Sequence, residues 1–404
     1  MRVSTANTYD VGVAALQRRQ GEMAEAQVRL TTGKRVVNAS DDPVGAARAE
    51  RALQGEARVT ASERSVQAAQ TIMVQTEASL GDAGELMQQV REALVAAGNG
   101  TYTAQERAGQ AEKLKQMRDQ LFTIANRTDG AGTYLFGGQG SSAPPFVDTR
   151  PDASAPPEQT GARYIGNRGN STTDPSTSLP LALDGAAVWT GARTGNGVFE
   201  TRALTAGQGG WIGSGQVTDP AALTGDSYRL VYDAAANAFD VTNTTTGAAV
   251  ASVPYKSGGA IAFDGMTMAV QGTPVAGETY EVVPSTPALN AFGVLDKAIA
   301  DLSSGAGGAA LSQSIGDNLR NVDAVMSRLQ GARSTAGEAL SRIDNESASL
   351  ATRKLNHQVE RANAEDLDMV KAISDFQNKQ SGYDAALKSY SMVQRMSLFQ
   401  YVNT

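Results

Sequence analysis

The stretch TTGKRVVNASDDPVGAARA, residues 31–49, interrupts a helical pattern with two basic residues, two valines and two aspartates. Gly33 can take the left-handed conformation that ends a helix, and residues 35–38 are typical of extended chain. Asp42 can cap a following helix whose first turn accommodates Pro43. The stretch therefore predicts a joint between two helical parts of the molecule.

Long helices with a narrow apolar stripe are predicted in both halves of the chain. The stripe steps by three and four residues, which is the spacing of a coiled-coil seam. In the first half it comprises Val66, Ala69, Met73, Thr76, Leu80, Ala83, Met87, Val90 and Leu94, and in the second half Ile315, Leu319, Val322, Met326, Leu329, Arg333, Ala336, Leu340, Ile343, Ser347 and Leu350. A further helix begins at a capping box formed by Thr103 and Glu106, and its stripe is Leu114, Met117, Leu121 and Ile124. No single helix can bury its stripe, so we expect these helices to pack together.

The two ends of the chain carry stripes of the same spacing. These are Tyr9, Val13, Leu16, Gln20, Met23, Gln27 and Leu30, and Met369, Ile373, Phe376, Gln380, Tyr383, Leu387 and Tyr390. The register slips across residues 354–366, which predicts a second break opposite the joint. A pair of terminal helices would leave other apolar residues in water: Val11, Val28, Val370, Val393, Met396, Phe399 and Val402. Such exposed apolar surface indicates contacts with neighbouring subunits.

The middle of the chain differs in composition from both helical parts. Twelve of the thirteen prolines and both tryptophans lie between residues 144 and 287. Alternating runs such as residues 226–233 and 278–284, each bounded by turn residues, indicate an antiparallel β meander, whereas residues 141–180 look irregular. We expect a mainly α protein with a β insertion, in which both chain ends form a long coiled-coil-like bundle and the insertion forms an outer antiparallel β domain.

Three domains follow from these patterns. Residues 1–35 and 365–404 are expected to form an inner domain of terminal helices, residues 36–140 and 287–364 a helical bundle, and residues 141–286 the outer β-rich domain. A length of 404 residues suits two or three domains.

Composition and motifs argue against several functional classes. The net charge is −7 and no basic block is long enough for nucleic acid, while no apolar run is long enough to span a membrane. The chain has no cysteine, and its N-terminus lacks the pattern of a cleaved signal peptide. The Gly33-Lys34 pair lacks the rest of a phosphate-binding loop, and His357, the single histidine, is expected to be solvated or at an interface. Asp41 and Asp42 lack further ligands at metal-binding spacing. We expect no enzyme, and no catalytic, cofactor or metal site.

The joint resembles a motif of the flagellin family of bacterial flagellar axial proteins. Two hydroxyl residues, a glycine and two basic residues stand at 31–35, and the aspartate pair follows at 41–42. Within the family, SDDP (40–43), GNGT (98–101), residues 118–138 and the ending MSLFQ (396–400) are similar to the hook–filament junction class. The likeness covers residues 1–140 and 287–404, and the β segment resembles one found in hook-associated proteins.

The resemblance implies a structural adaptor that is exported unfolded by the flagellar type III apparatus and located extracellularly in the flagellum, where it serves motility. The partners it implies are a proximal hook-associated junction protein, flagellin, further copies of the chain in a ring, and an export chaperone with the export apparatus. Two alternatives remain: a filament-forming flagellin, and an outer-domain binder of glycans or host surfaces.

Intersubunit assembly is the function we expect of apolar and aromatic residues of the terminal helices, both on their stripes and beside them, and of the charged residues of the joint. They are Val11, Val13, Leu16, Met23, Leu30, Lys34, Arg35, Asp41, Asp42, Val370, Ile373, Phe376, Tyr383, Leu387, Tyr390, Val393, Met396 and Phe399. For the four charged residues of the joint, a solvated surface turn is the alternative to a contact between subunits.

Overall fold

The computed structural model describes residues 5–141, 143–149, 161–173, 179–205 and 209–402, with side chains described only between residues 10 and 392. In these ranges the helices are α1 (Thr5–Thr32), α2 (Pro43–Ala97), α3 (Ala104–Ala125), α4 (Gly185–Trp189), α5 (Ala291–Ser303), α6 (Gly308–Glu365) and α7 (Met369–Val402). None of the helices described here is long and apolar enough to cross a membrane.

Strands occupy the middle of the chain, as its composition predicts. They are β1 (Phe146–Asp148), β2 (Ala162–Tyr164), β3 (Ser171–Thr172), β4 (Pro180–Ala182), β5 (Thr190–Ala192), β6 (Phe199–Ala203), β7 (Gly210–Ile212), β8 (Gln216–Val217), β9 (Tyr228–Asp233), β10 (Ala238–Asn243), β11 (Ala249–Pro254), β12 (Ala260–Phe263), β13 (Met266–Gly272), β14 (Thr279–Pro284) and β15 (Leu289–Asn290). All the pairings between these strands are antiparallel.

The chain divides into two compact units. The first contains the residues up to Arg64 and from Asn345 onward, and the second is Ser65–Asp344. The first unit thus holds α1, α7, the beginning of α2 and the end of α6. The second holds the remaining helices and all the strands. The three-domain division drawn from the sequence stays a prediction.

Within the second unit, α2 buries one continuous stripe. All nine predicted positions from Val66 to Leu94 are buried. One of them, Thr76, is polar, and Ser79 lies beside the stripe; both are fully buried. Their hydroxyls donate to carbonyls one turn earlier, at Ile72 (2.8 Å) and Gln75 (2.7 Å), which satisfies them without a partner helix.

The predicted stripe of α6 is partly wrong. Arg333 and Ser347 are exposed, and Leu319, Met326 and Leu340 are only half-buried. The buried positions one residue earlier are Asn318, Val325 and Ala339. The reason is that α6 is covered on more than one side: the Asn318 amide donates to Asp301 at the end of α5 (2.8 Å), and Gln313 Oε1 accepts the N–H of Ile212 in β7 (2.8 Å).

A β sandwich is formed by strands β6 to β14. One sheet has the order β11-β10-β9-β14-β6, and the other has the order β12-β13-β7 with β8 also paired to β13. Their facing side chains form one core, whose largest members include Tyr228, Phe239 and Tyr280. The predicted meander is present as β9-β10-β11, but β14 inserts between β9 and β6. The short strands β6, β7 and β8 were not predicted.

The segment expected to be irregular, residues 141–180, contains the paired strands β1 and β2 and the strand β3, which pairs with β4. Asn126, at the end of α3, pairs with Phe146 through two hydrogen bonds, its amide donating to the carbonyl (3.1 Å) and its side-chain oxygen accepting the N–H (3.0 Å). The ring of Phe146 lies 5.6 Å from that of Phe292 in α5 and 6.4 Å from that of Trp189. This part of the insertion therefore packs on the helices and does not belong to the sandwich.

Arg118 fastens this segment to α3 and α5. Its side chain is fully buried. It donates to both carboxylate oxygens of Asp148 (2.9 and 2.8 Å), to Asp296 (3.1 Å to Oδ1) and to the carbonyl of Gly161. The guanidinium also lies 5.7 Å from the Phe122 ring centroid and 5.8 Å from that of Phe292. A buried cation is tolerated here because its donors are satisfied and two carboxylates neutralise it.

Candidate assembly surface

The joint predicted at residues 31–43 is tied by backbone hydrogen bonds to the break at the other end of the chain. Gly33 has φ +68° and donates its N–H to Arg29 (2.9 Å), which ends α1. Lys34 then pairs with Asp366 as an antiparallel bridge. On either side of this bridge the N–H of Arg35 donates to Glu365 (2.7 Å) and that of Leu367 donates to Gly33 (3.0 Å).

The second break is shorter than the sequence predicts. Residues 354–365 are still helical, and the interruption comprises only residues 366–368 between α6 and α7. Asp368 caps α7, since its Oδ1 accepts the N–H groups of Val370 and Lys371 (3.1 Å each). The polar composition of this segment belongs to a helix surface and not to a loop.

Both aspartates of the joint bind backbone N–H groups. Asp41 Oδ2 accepts from Asn38 (3.0 Å) and Val37 (3.2 Å), so the chain bends into a turn from residue 37, within the stretch 35–38 that was expected to be extended. Asp42 Oδ1 accepts from Gly45 (2.9 Å), which confirms Asp42 as the cap of α2. The hydrogen bonds from Asn38 and Val37 lower the pKa of Asp41, and those from Gly45 and the Arg35 guanidinium lower the pKa of Asp42.

The two basic residues of the joint have partners in the same chain. Lys34 Nζ lies 3.0 Å from Glu365 Oε2, and Arg35 lies 3.1 Å from Asp42 Oδ2. Arg35 also donates to the carbonyl of Ala364 (2.7 Å). About half of each basic side chain remains exposed, 47% in both cases. These pairs set the geometry of the joint, while a contact with a neighbouring subunit stays a prediction.

A polar network extends from the joint along α2 and α6, and sequence reasoning did not identify its members. Glu56 in α2 accepts from Arg361 (2.8 Å) and from Gln358 (2.9 Å) in α6. Arg361 also lies 3.5 Å from Glu365, the partner of Lys34. The opposite charges at positions 361 and 365, one helical turn apart, could have predicted the pair within α6. The contact of Arg361 with Glu56 could not be predicted in this way, because the two residues are 305 positions apart in the sequence.

His357 packs against α2 at a glycine. A Cβ atom on Gly55 would lie only 2.6–2.8 Å from atoms of the imidazole ring, so the absence of a side chain admits the ring. Nδ1 is buried without a hydrogen-bond partner among the described residues, and its nearest carboxylate is Glu360 at 3.6 Å. The described part of the chain contains no group of histidine and acidic residues arranged to hold a metal ion.

The terminal helices α1 and α7 pack together through a shallow seam. On α1 the half-buried residues include Val13, Leu16, Met23 and Leu30, as predicted. On α7 they are Ala372, Phe376, Lys379, Tyr383, Ala386 and Tyr390. Between residues 10 and 32 and between 369 and 392, no side chain is fully buried. The seam therefore removes only part of the apolar surface of each helix from water.

Part of the predicted stripe on α7 is displaced from this seam. Ile373, Leu387 and Met369 are exposed, whereas the neighbours Ala372 and Ala386 are half-buried in the seam. On α1, Gln20 and Gln27 are likewise exposed.

Exposed apolar residues flank the seam on both helices. Val370 is 83% exposed and Val11 63%, and Val28 and Met392 are also exposed. The predicted assembly residues Val393, Met396 and Phe399, and also Val402, lie where side chains are outside the described residues. The arrangement presents large apolar side chains beside the seam, where the side chains of a neighbouring molecule can bury them.

A groove of about 410 Å³ lies between α1 and α7 next to the joint. Its lining carries both signs of charge, including Glu25, Arg29, Arg35, Lys371 and Asp375. The surface of the terminal pair therefore combines exposed apolar residues with charged groups of both signs.

Two segments of the chain match known protein families, and the whole chain is similar to known flagellar proteins. Residues 3–141 match the family model of the bacterial flagellin N-terminal helical region, and residues 206–284 match that of the D2-like domain of flagellar hook-associated protein 1. Flagellar hook-associated protein 3 of Salmonella typhimurium is 26% identical over 400 residues, which is 99% of each chain. The protein of the same name from Escherichia coli K12 is 32% identical over 195 residues, 46% of this chain and 62% of that one.

The fold is also found among solved structures. The crystal structure of FlgL from Xanthomonas campestris has a TM-score of 0.65 and 27% identity, over 74% of this chain and 98% of that one. The predicted fold class, mainly α with long terminal helices and an antiparallel β insertion, is confirmed by this match. The chain thus carries a bacterial flagellin N-terminal helical region at residues 3–141, and over its whole length it is similar to a flagellar hook-associated protein 3.

Proposed function

We propose that this chain is a structural adaptor of the bacterial flagellum, joining the hook to the flagellin filament. The observation that carries the proposal is the alignment with a hook-associated protein 3 over 99% of both chains. The match of the β domain to a domain of hook-associated protein 1 supports the same location. The partners are then the proximal hook-associated junction protein on one side, flagellin on the other, and further copies of this chain beside it.

The terminal pair supports an assembly mechanism. Val370, Ile373 and Leu387 are exposed on α7, and Val11 and Val28 on α1. Burying a side chain of this size completely contributes roughly 1.5–3 kcal/mol. Neighbouring subunits that cover several such side chains add a favourable free energy of burial, which the isolated pair of terminal helices lacks. The terminal helices then gain order on assembly, which suits a chain that is exported unfolded by the flagellar type III apparatus with the help of a chaperone.

The filament-forming alternative is less well supported. The flagellin family model covers only residues 3–141, whereas the relative that matches over 99% of the chain is a hook-associated protein.

Deletion of the gene followed by electron microscopy tests the adaptor role. We expect hooks without filaments and flagellin released to the medium, and normal filaments on the deletion strain would refute the proposal.

A pair of substitutions then tests the assembly surface in the complemented strain. Val370→Asp places a charge on the exposed flank of α7 and should abolish filament attachment. Val95→Asp is the matched control, because Val95 is also an exposed helical valine, at 53%, but lies in the second unit. Equal filament retention by the two variants would show that the flank of α7 is not an interface.

A further inference from the structure

A groove of about 600 Å³ lies in the second unit between α6 and the loop that follows β5. Its lining includes Gly191, Arg193, Asn196, Ser214, Arg320 and Arg328. A concave site of this volume is in the range that small-molecule ligands occupy. Three arginines around one groove are unexpected in a chain of net charge −7.

Among the described residues, only one of the three guanidinium groups, that of Arg320, has a carboxylate partner. Arg320 donates to Asp317 and to the Thr201 hydroxyl (2.8 Å). The acidic residue of the lining, Asp323, accepts from Arg91 (2.8 Å) and so is itself paired outside the groove.

In the part of the chain that the structure describes, the other two arginines have no carboxylate partner. Arg193 makes only long contacts, to the carbonyls of Gly197 (3.4 Å) and Ser285 (3.3 Å). Arg328 makes no hydrogen bond or ion pair with any described residue. Its guanidinium lies 3.7 Å from the position that a Cβ atom on Gly191 would take, so it reaches over the bare backbone of β5. The groove therefore presents two guanidinium groups that have no carboxylate partner among the described residues, while its one acidic lining residue, Asp323, is paired with Arg91.

The loop that forms the other wall is held rigidly. Asn196 Oδ1 accepts the N–H groups of Val198 (3.0 Å) and Phe199 (2.9 Å). Thr194 is almost fully buried and exchanges two hydrogen bonds with Thr286, giving its N–H to the carbonyl (3.0 Å) and accepting the N–H at its hydroxyl (3.1 Å). Arg193 is thus carried by a hydrogen-bonded loop and Arg328 by a helix, so the backbone positions from which the two guanidinium groups reach the groove are fixed.

We propose that this groove binds a small oxyanion-bearing ligand, a carboxylate or a phosphate ester, through Arg193 and Arg328. The guanidinium fork matches the two oxygens of either group, and charge-assisted hydrogen bonds of this kind are the strong ones. Arg320 adds positive potential from the floor while keeping its internal partners. This proposal is independent of the adaptor role, because no residue of the groove belongs to the terminal helices or the joint.

Calorimetric titration of the full-length protein tests the proposal, with citrate and inorganic phosphate as separate probes and glucose as a neutral comparison, at low ionic strength. We expect saturable binding of at least one anion and none of glucose, with affinity falling as salt is added. Arg328→Gln, and separately Arg193→Gln, should weaken it about tenfold or more, since losing one charge-assisted contact has that effect.

Arg333→Gln is the matched control. Arg333 is on the same helix and carries the same charge, but it pairs with Glu77 (2.6 Å) away from the groove. Citrate binding alone indicates a carboxylate ligand, phosphate binding alone a phosphoryl ligand, and binding of both an oxyanion site of broad specificity. No saturable binding of either anion, or an equal loss in the Arg333 and Arg328 variants, would overturn the proposal. Circular dichroism melts confirm that the variants are folded.

Discussion

Replacing Arg118 by alanine should destabilise the second unit far more than replacing an exposed arginine. Arg118 is fully buried and makes charge-assisted hydrogen bonds to Asp148 and Asp296. The substitution leaves two carboxylates, 34% and 23% exposed, next to each other without their cation, and opens a cavity between two phenylalanine rings. Removing one partner of a buried ion pair costs about 3–5 kcal/mol.

Arg91→Ala is the matched control for this prediction. Arg91 forms an ion pair of similar length with Asp323 (2.8 Å), but the two side chains are 41% and 51% exposed. Exposed pairs of this kind contribute about 0–1 kcal/mol, because water screens the charges and ordering two long side chains has an entropic cost. The same substitution at the two positions therefore isolates the effect of burial.

Urea unfolding followed by tryptophan fluorescence provides the measurement. Both tryptophans lie in the second unit, and the Trp189 ring stacks on Phe292, 5.9 Å away, within the cluster that surrounds Arg118. We expect a lower midpoint for Arg118→Ala with an unchanged slope, equivalent to a loss of about 3–5 kcal/mol. A shift no larger than that of Arg91→Ala would show that the buried cluster does not stabilise the unit.

Further predictions concern the joint, the terminal helices and the β domain. Lys34→Ala combined with Arg35→Ala should change the melting temperature of the monomer little, since exposed ion pairs are weak, but should reduce filament retention under shear. Asp42→Ala should lower both the melting temperature and filament retention, because it also removes a helix cap. Folding lowers the pKa of Asp42, so its contribution to stability is complete above its ordinary pKa of 3.8 and is lost as the pH falls through the lower folded value. The wild type should therefore lose stability in acid below about pH 4, and Asp42→Asn should lose less. In hydrogen exchange of the monomer, amides of α7 should exchange faster than those of α2 in the second unit, and equal protection would contradict a terminal pair that needs neighbours. Excising residues 196–284, with a short glycine linker, should preserve cooperative unfolding of the helices, whereas excising 141–286 should not, because the longer deletion removes both Asp148 and the Gly161 carbonyl from Arg118.

Local signals were sufficient for the helices and for the joint. Every stripe position of α2 in the second unit is buried as predicted. The apolar residues repeat about every 3.5 residues on a single face, so only that face of the helix can be the buried one. The end of α1 at Gly33 and the cap at Asp42 depend on residues within a few positions of each other, so they could be read from the sequence.

Features that depend on distant partners could not be predicted in this way. Arg118 lies between Leu114 and Leu121 on the buried face of α3, which could have identified it as a buried cation. Its partners Asp148 and Asp296, however, lie 30 and 178 positions away in the sequence. The stripe of α6 was assigned by apolarity alone, and the buried Asn318 was missed because its hydrogen bond to Asp301 depends on how α5 folds back.

The charges of the joint can be understood from what they connect. The bridge between Lys34 and Asp366 holds together two chain segments that are 332 positions apart, immediately before both pass into the terminal pair. A hinge of unpaired backbone at this point would let α1 and α7 leave the joint in independent directions. Among the side chains described, residues 10–32 and 369–392, the shallow seam contains none that is fully buried and could correct this. The ion pairs with Glu365 and Asp42, and the contact of Arg35 with Ala364, restrict the end of α1 and the start of α7 at once. We infer that the joint sets the direction of the terminal pair before neighbours arrive, so that assembly has less conformational entropy to overcome when the exposed flanks of α1 and α7 become buried.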